Sequence, residues 1–305
     1  MPEVSVIIPN YNHAFYLKER IDSVLNQTFK DLEVIILDDL SSDNSREIIE
    51  LYRDHPKVTQ IVYNDVNSGS TFKQWKKGMN LAQGEFIWIA ESDDWCEPSF
   101  LEHLVEAFKQ NQNCVIAYCQ SYCVKNNQIL WQSSHQYLEE HLKGLAFIRS
   151  KMVTGNAIFN ASMSLFRKKV IQSVSDKYTS FKFCGDWAFW IELARQGDVF
   201  ISGRVLNYFR KHEKDVSGKA YKDGINFPEE LSILSDLFKN KIIDKETFLL
   251  SLKEKYNRYK SIEGNISPEN RHAAQLLFFT DKETKAFLVK PNSSSIFDTL
   301  KKLLK

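Results

Sequence analysis

The sequence has almost no excess of charge and no long apolar run. Its 305 residues contain 40 Lys and Arg against 39 Asp and Glu, which leaves a formal net charge of +1. Because proteins that bind nucleic acid usually carry a basic excess, we expect no nucleic-acid partner. No run approaches the roughly 18 apolar residues that a membrane-spanning helix needs. The first residues are strand-like and lack the basic and apolar regions of a signal peptide, so we expect a cytoplasmic protein.

Cysteine is also scarce. The five cysteines are Cys96, Cys114, Cys119, Cys123 and Cys184. Their odd number and the lack of paired Cys-x-x-Cys spacing argue against a zinc site, and we expect buried or free thiols in a reducing compartment. The length of 305 residues is enough for one large domain or two ordinary ones, and a hydrophobic content of 43% is ordinary for a globular protein.

The first hundred residues alternate between strand and helix patterns. Short apolar runs predict strands at residues 4–8, 32–37, 58–63 and 85–90. Helical spacing of apolar residues predicts helices at 15–25, around 44–52 and at 71–82. The second of these helices is predicted to bury Leu51 and to be capped by Ser42 or Asp43. Repeated strand–helix–strand units predict an α/β fold with a mostly parallel sheet and right-handed crossovers.

The pattern of predicted elements changes twice in the rest of the chain. Between residues 97 and 212 the pattern is less regular, with predicted helices at 100–111 and 184–195 and predicted strands at 115–124, 128–132, 164–167, 199–201 and 205–210. Lysine-rich helices are predicted at 228–238, 245–259 and 268–279. The composition shift near 215–228 predicts a core domain at 1–222 and a C-terminal helical region at 223–305.

Two of the predicted strands end in acidic pairs. Asp38 and Asp39 follow the second strand, while Asp93 and Asp94 follow the fourth, closely preceded by Glu91. The carboxyl ends of parallel strands form the crevice in which open α/β sheets bind ligands. Carboxylates this close repel one another and favour a neutralising cation, and their hard oxygens suit Mg²⁺ or Mn²⁺ bridged to phosphate. The alternative is a pair of solvated acidic loops.

Three segments together resemble the signature series of family 2 glycosyltransferases. They are VSVIIPNYN at 4–12, ILDDLSSD at 36–43 and ESDD at 91–94, with weaker matches to about residue 217. The resemblance implies a GT-A fold, with a nucleotide-binding half at 1–95 and an acceptor half at 96–222. It also implies an inverting, metal-dependent transfer of a hexosyl or N-acetylhexosaminyl group from a nucleotide-diphosphate sugar, with UDP favoured. A glycan or lipid-linked acceptor, in bacterial surface polysaccharide assembly, is the expected role.

The resemblance assigns residues to the donor nucleotide. Pro9 and Tyr11 are expected to lie against the base, and Asp38 or Asp39 to accept its imino hydrogen. A carboxylate suits uracil, although a guanine edge can make the same contact. Lys73 is the favoured phosphate or base contact among the lysines that follow. The alternatives are a core-edge role for Tyr11, a turn or cap role for Asp39, and a solvated helix position for Lys73.

The resemblance also places a metal. The Asp-x-Asp element of the family falls on Glu-Ser-Asp here, so Asp93 is expected to bind Mn²⁺ or Mg²⁺ directly. Glu91 is expected to reach the ribose or a metal-bound water, and Asp94 to brace the loop. The Arg-x-His element makes His212 a metal ligand or diphosphate contact, and Arg210 a phosphate or loop anchor. A structural role for His212 is the alternative.

Asp186 is the expected general base. It stands in Gly-Asp-Trp, where the family places an acidic residue near the acceptor, and packing by Trp187 and Phe189 would raise the pKa of its carboxyl toward neutrality. The alternative is a helix cap. Trp187 is the expected acceptor contact, by stacking on a pyranose, although its aromatic neighbourhood is also typical of a core.

The last ten residues, 296–305, form a basic amphipathic pattern. Such a segment packs on its own domain or lies on an anionic membrane surface, which would place the protein peripherally at the inner face of the membrane. Two other functions compete with transfer. A sugar nucleotidyltransferase would need a Gly-rich phosphate loop where residues 9–13 read PNYNH. A catalytically inactive nucleotide-sugar-binding subunit is suggested by Glu91 in place of the usual aspartate.

Overall fold

A computed structural model describes residues 1–212 and 224–290, which form two compact units. Unit 1 comprises Met1–Gly144, Ile158–Thr179 and Glu192–His212. The part of unit 2 that is described comprises Leu145–Ala157, Ser180–Ile191 and residues 224–290. The predicted boundary at residue 222 lies outside the described residues, as does the basic amphipathic segment at 296–305.

Unit 1 is built on a mixed sheet of ten strands. They are β1 Val4–Asn10, β2 Leu32–Asp38, β3 Val58–Tyr63, β4 Phe86–Ile89, β5 Trp95–Cys96, β6 Cys114–Lys125, β7 Gln128–Gln132, β8 Glu139–Lys143, β9 Ser164–Arg167 and β10 Asp198–Arg210. The main order is β3-β2-β1-β4-β9-β6-β10-β5, with β7 beside β6 and β8 beside β10. Strands β3, β2, β1 and β4 are parallel neighbours, and β6 pairs in parallel with β10. The predicted mostly parallel α/β sheet is confirmed.

The centre of this sheet is buried on both faces. Every residue of β1, β2 and β4 is buried, as expected for strands that read as continuous Val, Ile and Leu runs. The register pairs Asn10 at the end of β1 with Asp38 at the end of β2. The carboxyl ends of these strands therefore meet at one edge.

The described residues contain ten α-helices. They are α1 Ala14–Leu25, α2 Ser45–Glu50, α3 Thr71–Leu81, α4 Phe100–Gln110, α5 Gly144–Phe147, α6 Gly185–Ala194, α7 Asn226–Lys239, α8 Lys245–Ile262, α9 Pro268–Phe278 and α10 Lys282–Val289. In unit 2, Asp244, Ser267 and Asp281 cap α8, α9 and α10 through their side chains. Of the helices in 1–212 and 224–290, none combines the length and apolar content needed to cross a bilayer.

Several local predictions were wrong. The two predicted strands at 199–201 and 205–210 are one strand, β10, whose pairing with β6 shifts register at Val205. Helix α2 ends at Glu50, and Leu51 is 73% exposed because it lies beyond the last buried turn. Asn44, rather than Ser42 or Asp43, occupies its N-cap position.

The structure also adds elements that the sequence pattern did not predict, namely β5, β8, α5 and α10. All five cysteines lie in the described residues, buried and outside any disulfide, as expected for thiols.

Candidate functional site

The edge of the sheet where β1 and β2 end is tied together by polar side chains. Asn10 donates through Nδ2 to Asp38 Oδ1 at 2.8 Å. Asp38 also accepts from the backbone N of Ser41 at 3.0 Å and from its hydroxyl at 2.6 Å. Asn12, at a left-handed φ of 57°, accepts from the backbone N of Ser42 at 2.7 Å. These bonds hold the loops after β1 and β2 against each other.

Asp39 organises the loop that precedes α3. Its carboxylate accepts from Asn64 Nδ2 at 2.6 Å, Gln74 Nε2 at 3.0 Å, and both the backbone N and the hydroxyl of Ser68 at 2.9 and 2.7 Å. Both Asp38 and Asp39 are 4% exposed. The contact of either carboxylate with a base stays a prediction.

The residues predicted to lie beside the base differ in exposure. Tyr11 is 50% exposed, whereas Pro9 is buried within β1 beside Leu37. Of this pair, Tyr11 is therefore the one that offers surface to a base. Lys73 is exposed, and its ammonium donates to the Ser68 carbonyl at 3.2 Å, so its phosphate contact stays a prediction.

A candidate metal centre lies at the same edge. His212 Nε2 is 3.0 Å from Asp93 Oδ2, and the His13 ring stands at 85° to the His212 ring with 5.3 Å between centroids. Each of these three residues offers one ligand atom, and the three atoms lie within 4.8 Å of one another. One carboxylate oxygen and two imidazole nitrogens are suitable ligands for a divalent transition metal, so the residues fit the implied ion.

The structure thus brings together Asp93 and His212, which lie 119 positions apart in the sequence. His13 was missed because a histidine beside a helix start carries no local signal of ligation. Its place directly after the turn that ends β1 was the available clue, because that turn lies at the same sheet edge as the acidic pairs.

Two further carboxylates surround Asp93. Burial and the Asp93 charge raise the pKa of Glu91 to about 8 and that of Asp94 to about 6. Glu91 Oε1 accepts from Trp75 Nε1 at 2.7 Å. A cation at Asp93 would favour the ionised forms of both carboxyl groups.

Asp94 braces its loop, as predicted. Its carboxylate accepts from Asn160 Nδ2 at 2.8 Å, the Ser162 hydroxyl at 2.7 Å and the backbone N of Arg210 at 2.9 Å. The fully buried Arg20, which the sequence analysis did not consider, places a guanidinium nitrogen 3.9 Å from Asp94 Oδ2. These contacts fix the backbone that carries Asp93.

Arg210 makes the contacts of a loop anchor. Its Nε donates to the Asp93 carbonyl at 2.8 Å, its guanidinium pairs with Glu19, and the same group lies over the Trp95 ring at 4.3 Å. Of the two roles predicted for Arg210, the phosphate contact stays a prediction.

Asp186 belongs to unit 2, where it is the second residue of α6. Asn156 donates to Asp186 Oδ2 at 2.9 Å, and the backbone N of Trp187 donates to Oδ1 at 2.7 Å. Burial raises the pKa of Asp186 to about 7, against the opposing effect of these hydrogen bonds. A carboxylate with this pKa is suited to accept a proton near neutral pH.

The prediction that Trp187 stacks on an acceptor sugar was wrong. The ring is 4% exposed, and its Nε1 donates to the Met152 carbonyl at 3.0 Å. Lys255 Nζ lies 5.0 Å from the ring centroid within the same unit. A ring packed in this way has no open face for a pyranose.

The segment before α6 is held by a residue that the sequence analysis missed. The Glu229 carboxylate accepts from three consecutive backbone N atoms, those of Lys182, Phe183 and Cys184, at 2.7, 2.9 and 2.7 Å. Glu229 lies on α7 and is 9% exposed. It therefore fixes the turn that leads into the helix bearing Asp186.

Comparison with known proteins identifies the family. Residues 5–175 match the model described as Glycosyl transferase family 2. The chain belongs to this family. It is a glycosyltransferase, as the sequence motifs predicted.

Two relatives illustrate the range of similarity to this glycosyltransferase. An uncharacterized glycosyltransferase of Haemophilus influenzae is 34% identical over 228 residues, which cover 74% of this chain and 86% of that protein. A Campylobacter jejuni protein named GalNAc(5)-diNAcBac-PP-undecaprenol beta-1,3-glucosyltransferase is 26% identical over 242 residues, 77% of this chain and 75% of that protein.

Solved structures agree with a GT-A fold for the glycosyltransferase. S. aureus TarS in complex with UDP-GlcNAc superposes with a TM-score of 0.71 at 20% identity, covering 94% of this chain and 84% of TarS. The mannosyltransferase PcManGT of Pyrobaculum calidifontis, in complex with GDP-Man and Mn²⁺, gives a TM-score of 0.57 at 15% identity over 99% of this chain and 85% of PcManGT. The predicted GT-A class is confirmed.

Proposed function

We propose that this chain is an inverting, metal-dependent glycosyltransferase that moves a sugar from a UDP-sugar to a glycan or lipid-linked acceptor. The observation that carries the proposal is the approach of Asp93 and His212 to 3.0 Å at the strand-end edge of the sheet. The same edge presents the exposed Tyr11 and the loops anchored by Asp38 and Asp39. Asp93 and His212 would hold the Mn²⁺ or Mg²⁺, which would supply positive charge next to the donor diphosphate.

The chemistry assigned to unit 2 is proton transfer. In the proposed step the ionised Asp186 takes the proton of the acceptor hydroxyl, whose oxygen attacks the anomeric carbon while the nucleoside diphosphate leaves from the opposite face. Asn156 orients the carboxylate through its amide N–H. The bound ion would supply stabilisation of the charge that develops on the diphosphate.

The donor and acceptor classes rest on chemistry and on similar proteins. A carboxylate that accepts an N–H suits the uracil of UDP, and TarS was solved with UDP-GlcNAc. PcManGT was solved with GDP-Man, so a guanine nucleotide is the competing donor. The undecaprenol in the name of the Campylobacter relative supports a lipid-linked acceptor. We therefore propose that the enzyme acts at the cytoplasmic face of the membrane, in the assembly of a bacterial surface polysaccharide.

A nucleotide screen tests this function. A ligand at 100 times its Kd stabilises the folded chain by about 2.7 kcal/mol, so binding is visible as a higher melting temperature. We expect UDP with Mn²⁺ to raise the melting temperature more than UDP or Mn²⁺ alone, and more than GDP with Mn²⁺. Slow hydrolysis of a UDP-sugar would then separate an enzyme from an inactive binding subunit. If UDP raises the melting temperature equally with and without Mn²⁺, metal dependence is contradicted.

A further inference from the structure

We propose that His13 is a third protein ligand of the metal, so that the centre consists of two imidazoles and one carboxylate and prefers nitrogen-binding transition ions over Mg²⁺. This inference rests on the metal dependence of the proposed function. The family resemblance pointed to Asp93 and His212, and nothing in the motif series pointed to His13.

The separations suit ligands of one ion. Two ligand atoms about 2.1 Å from an ion and at right angles to each other lie about 3.0 Å apart. His212 Nε2 and Asp93 Oδ2 have that separation. The ligand atoms of all three residues lie within 4.8 Å of one another, which side-chain rotations can shorten to the separations needed around one ion.

A hydrogen bond to the Glu-Ser-Asp motif orients the His13 ring. Its Nδ1 is 2.8 Å from the hydroxyl of Ser92, the middle residue of the Glu-Ser-Asp motif. In the tautomer in which Nδ1 donates to that hydroxyl, Nε2 keeps its lone pair, and an orienting hydrogen bond of this kind is typical of ligating histidines.

Glu91 is the competing third ligand, because the motif begins with it. One of its carboxylate oxygens accepts from the indole N–H of Trp75. In 1–212 and 224–290, the group of ligand-type side chains that meets the separation consists of His13, Asp93 and His212, without Glu91. His13, rather than Glu91, is therefore the third protein ligand.

The ligand set predicts which ions bind. Carboxylate and water suit Mg²⁺, whereas imidazole suits later transition metals, and affinities rise from Mn²⁺ toward Co²⁺ and Ni²⁺. With two imidazoles the centre should bind Co²⁺ and Mn²⁺ more tightly than Mg²⁺. Loss of one imidazole should reduce this difference.

Titration of the full chain with each metal ion alone, by calorimetry, tests the assignment. We expect His13→Ala to weaken Co²⁺ and Mn²⁺ binding at least about tenfold and Mg²⁺ binding less than about threefold. The matched control is His272→Ala, since His272 is an exposed histidine of α9 in unit 2. Co²⁺ and Mn²⁺ affinities in His13→Ala equal to those of the wild type would overturn the proposal.

A second measurement needs no variant and so does not depend on how His13→Ala folds. Pulsed electron paramagnetic resonance of the Mn²⁺-loaded wild type should detect nitrogen couplings from two coordinated imidazoles. Couplings from one imidazole would remove His13 from the centre while leaving metal dependence intact. If the wild type binds none of these ions, even with UDP present, the proposed metal-dependent function fails and this inference fails with it.

Discussion

At the scale of single residues, Asp186 is the side chain on which the proposed transfer depends. Asp186→Asn keeps the shape of the side chain but cannot accept the acceptor proton. We expect turnover to fall by roughly 10²–10⁴, the range for losing general-base catalysis, while donor affinity stays within a few fold. Steady-state kinetics and UDP titration measure the two effects separately. A collapse of donor affinity would place Asp186 in the nucleotide site instead.

Asn156 is expected to lower the pKa of Asp186, the proposed general base. Its amide N–H donates to the Asp186 carboxylate, which favours the ionised form and opposes the upward effect of burial on the pKa. Asn156→Ala should therefore raise the pKa of Asp186 above about 7. In the proposed mechanism the ionised form of Asp186 is the active one, so the acid limb of the kcat–pH profile should move to higher pH. The exposed Asn265 offers the control Asn265→Ala. If the acid limb does not move in Asn156→Ala, Asn156 does not influence the pKa of the general base.

The sequence predicted some site residues and missed others for a physical reason. Asp93 and His212 follow strands in recognisable motifs, so their meeting at one sheet edge could be anticipated. His13, Asn156 and Glu229 act through contacts between distant segments, and no periodicity or motif identifies such contacts. Trp187 shows the converse, because the sequence pattern of an aromatic residue beside the proposed general base is equally typical of a buried core residue.

At the scale of elements, strands and helices were predicted well where burial imposes a pattern. Continuous apolar runs predict strands β1 and β2, and apolar residues at helical spacing predict α4. Strand β5 has two residues, Trp95 and Cys96, and it is a strand through its pairing with β10. Strand β8 reads Glu-Glu-His-Leu-Lys, whose polar residues resemble a loop. Such elements are determined by their neighbours, so the sequence alone did not predict them.

The turn before α6 depends on α7 in the same unit. Glu229→Gln replaces a charged acceptor of three backbone N–H groups with a neutral one, and hydrogen bonds to charged groups contribute about 1.5–3 kcal/mol each. We expect a loss of about 1–3 kcal/mol in the free energy of unfolding, measured by urea denaturation. We also expect a lower kcat with unchanged UDP affinity, because the turn leads to Asp186.

The exposed Glu246 of α8 provides the matched control, Glu246→Gln, which should change the free energy of unfolding little. Equal small effects of the two substitutions would mean that Glu229 does not hold the turn.

At the scale of the whole molecule, the basic segment at 296–305 bears on the proposed lipid-linked acceptor, because a membrane-surface helix would bring the protein to such an acceptor. If residues 296–305 form a membrane-surface helix, deleting 295–305 should reduce binding to anionic vesicles without changing donor hydrolysis in solution. Added salt should weaken vesicle binding of the full chain, because screening reduces its attraction to anionic lipid. A cosedimentation assay measures both. A lower melting temperature with unchanged vesicle binding would instead indicate that the segment packs on the protein.

The central claim is that Asp93 holds an ion needed for tight donor binding, and calorimetric titration of UDP with and without Mn²⁺ tests it most directly. The comparison is between the wild type, Asp93→Asn and the surface control Asp54→Asn, since Asp54 is exposed. We predict that Mn²⁺ tightens UDP binding in the wild type and in Asp54→Asn. In a folded Asp93→Asn, UDP affinity should be the same with and without Mn²⁺. Undiminished Mn²⁺-dependent tightening in Asp93→Asn would contradict the account.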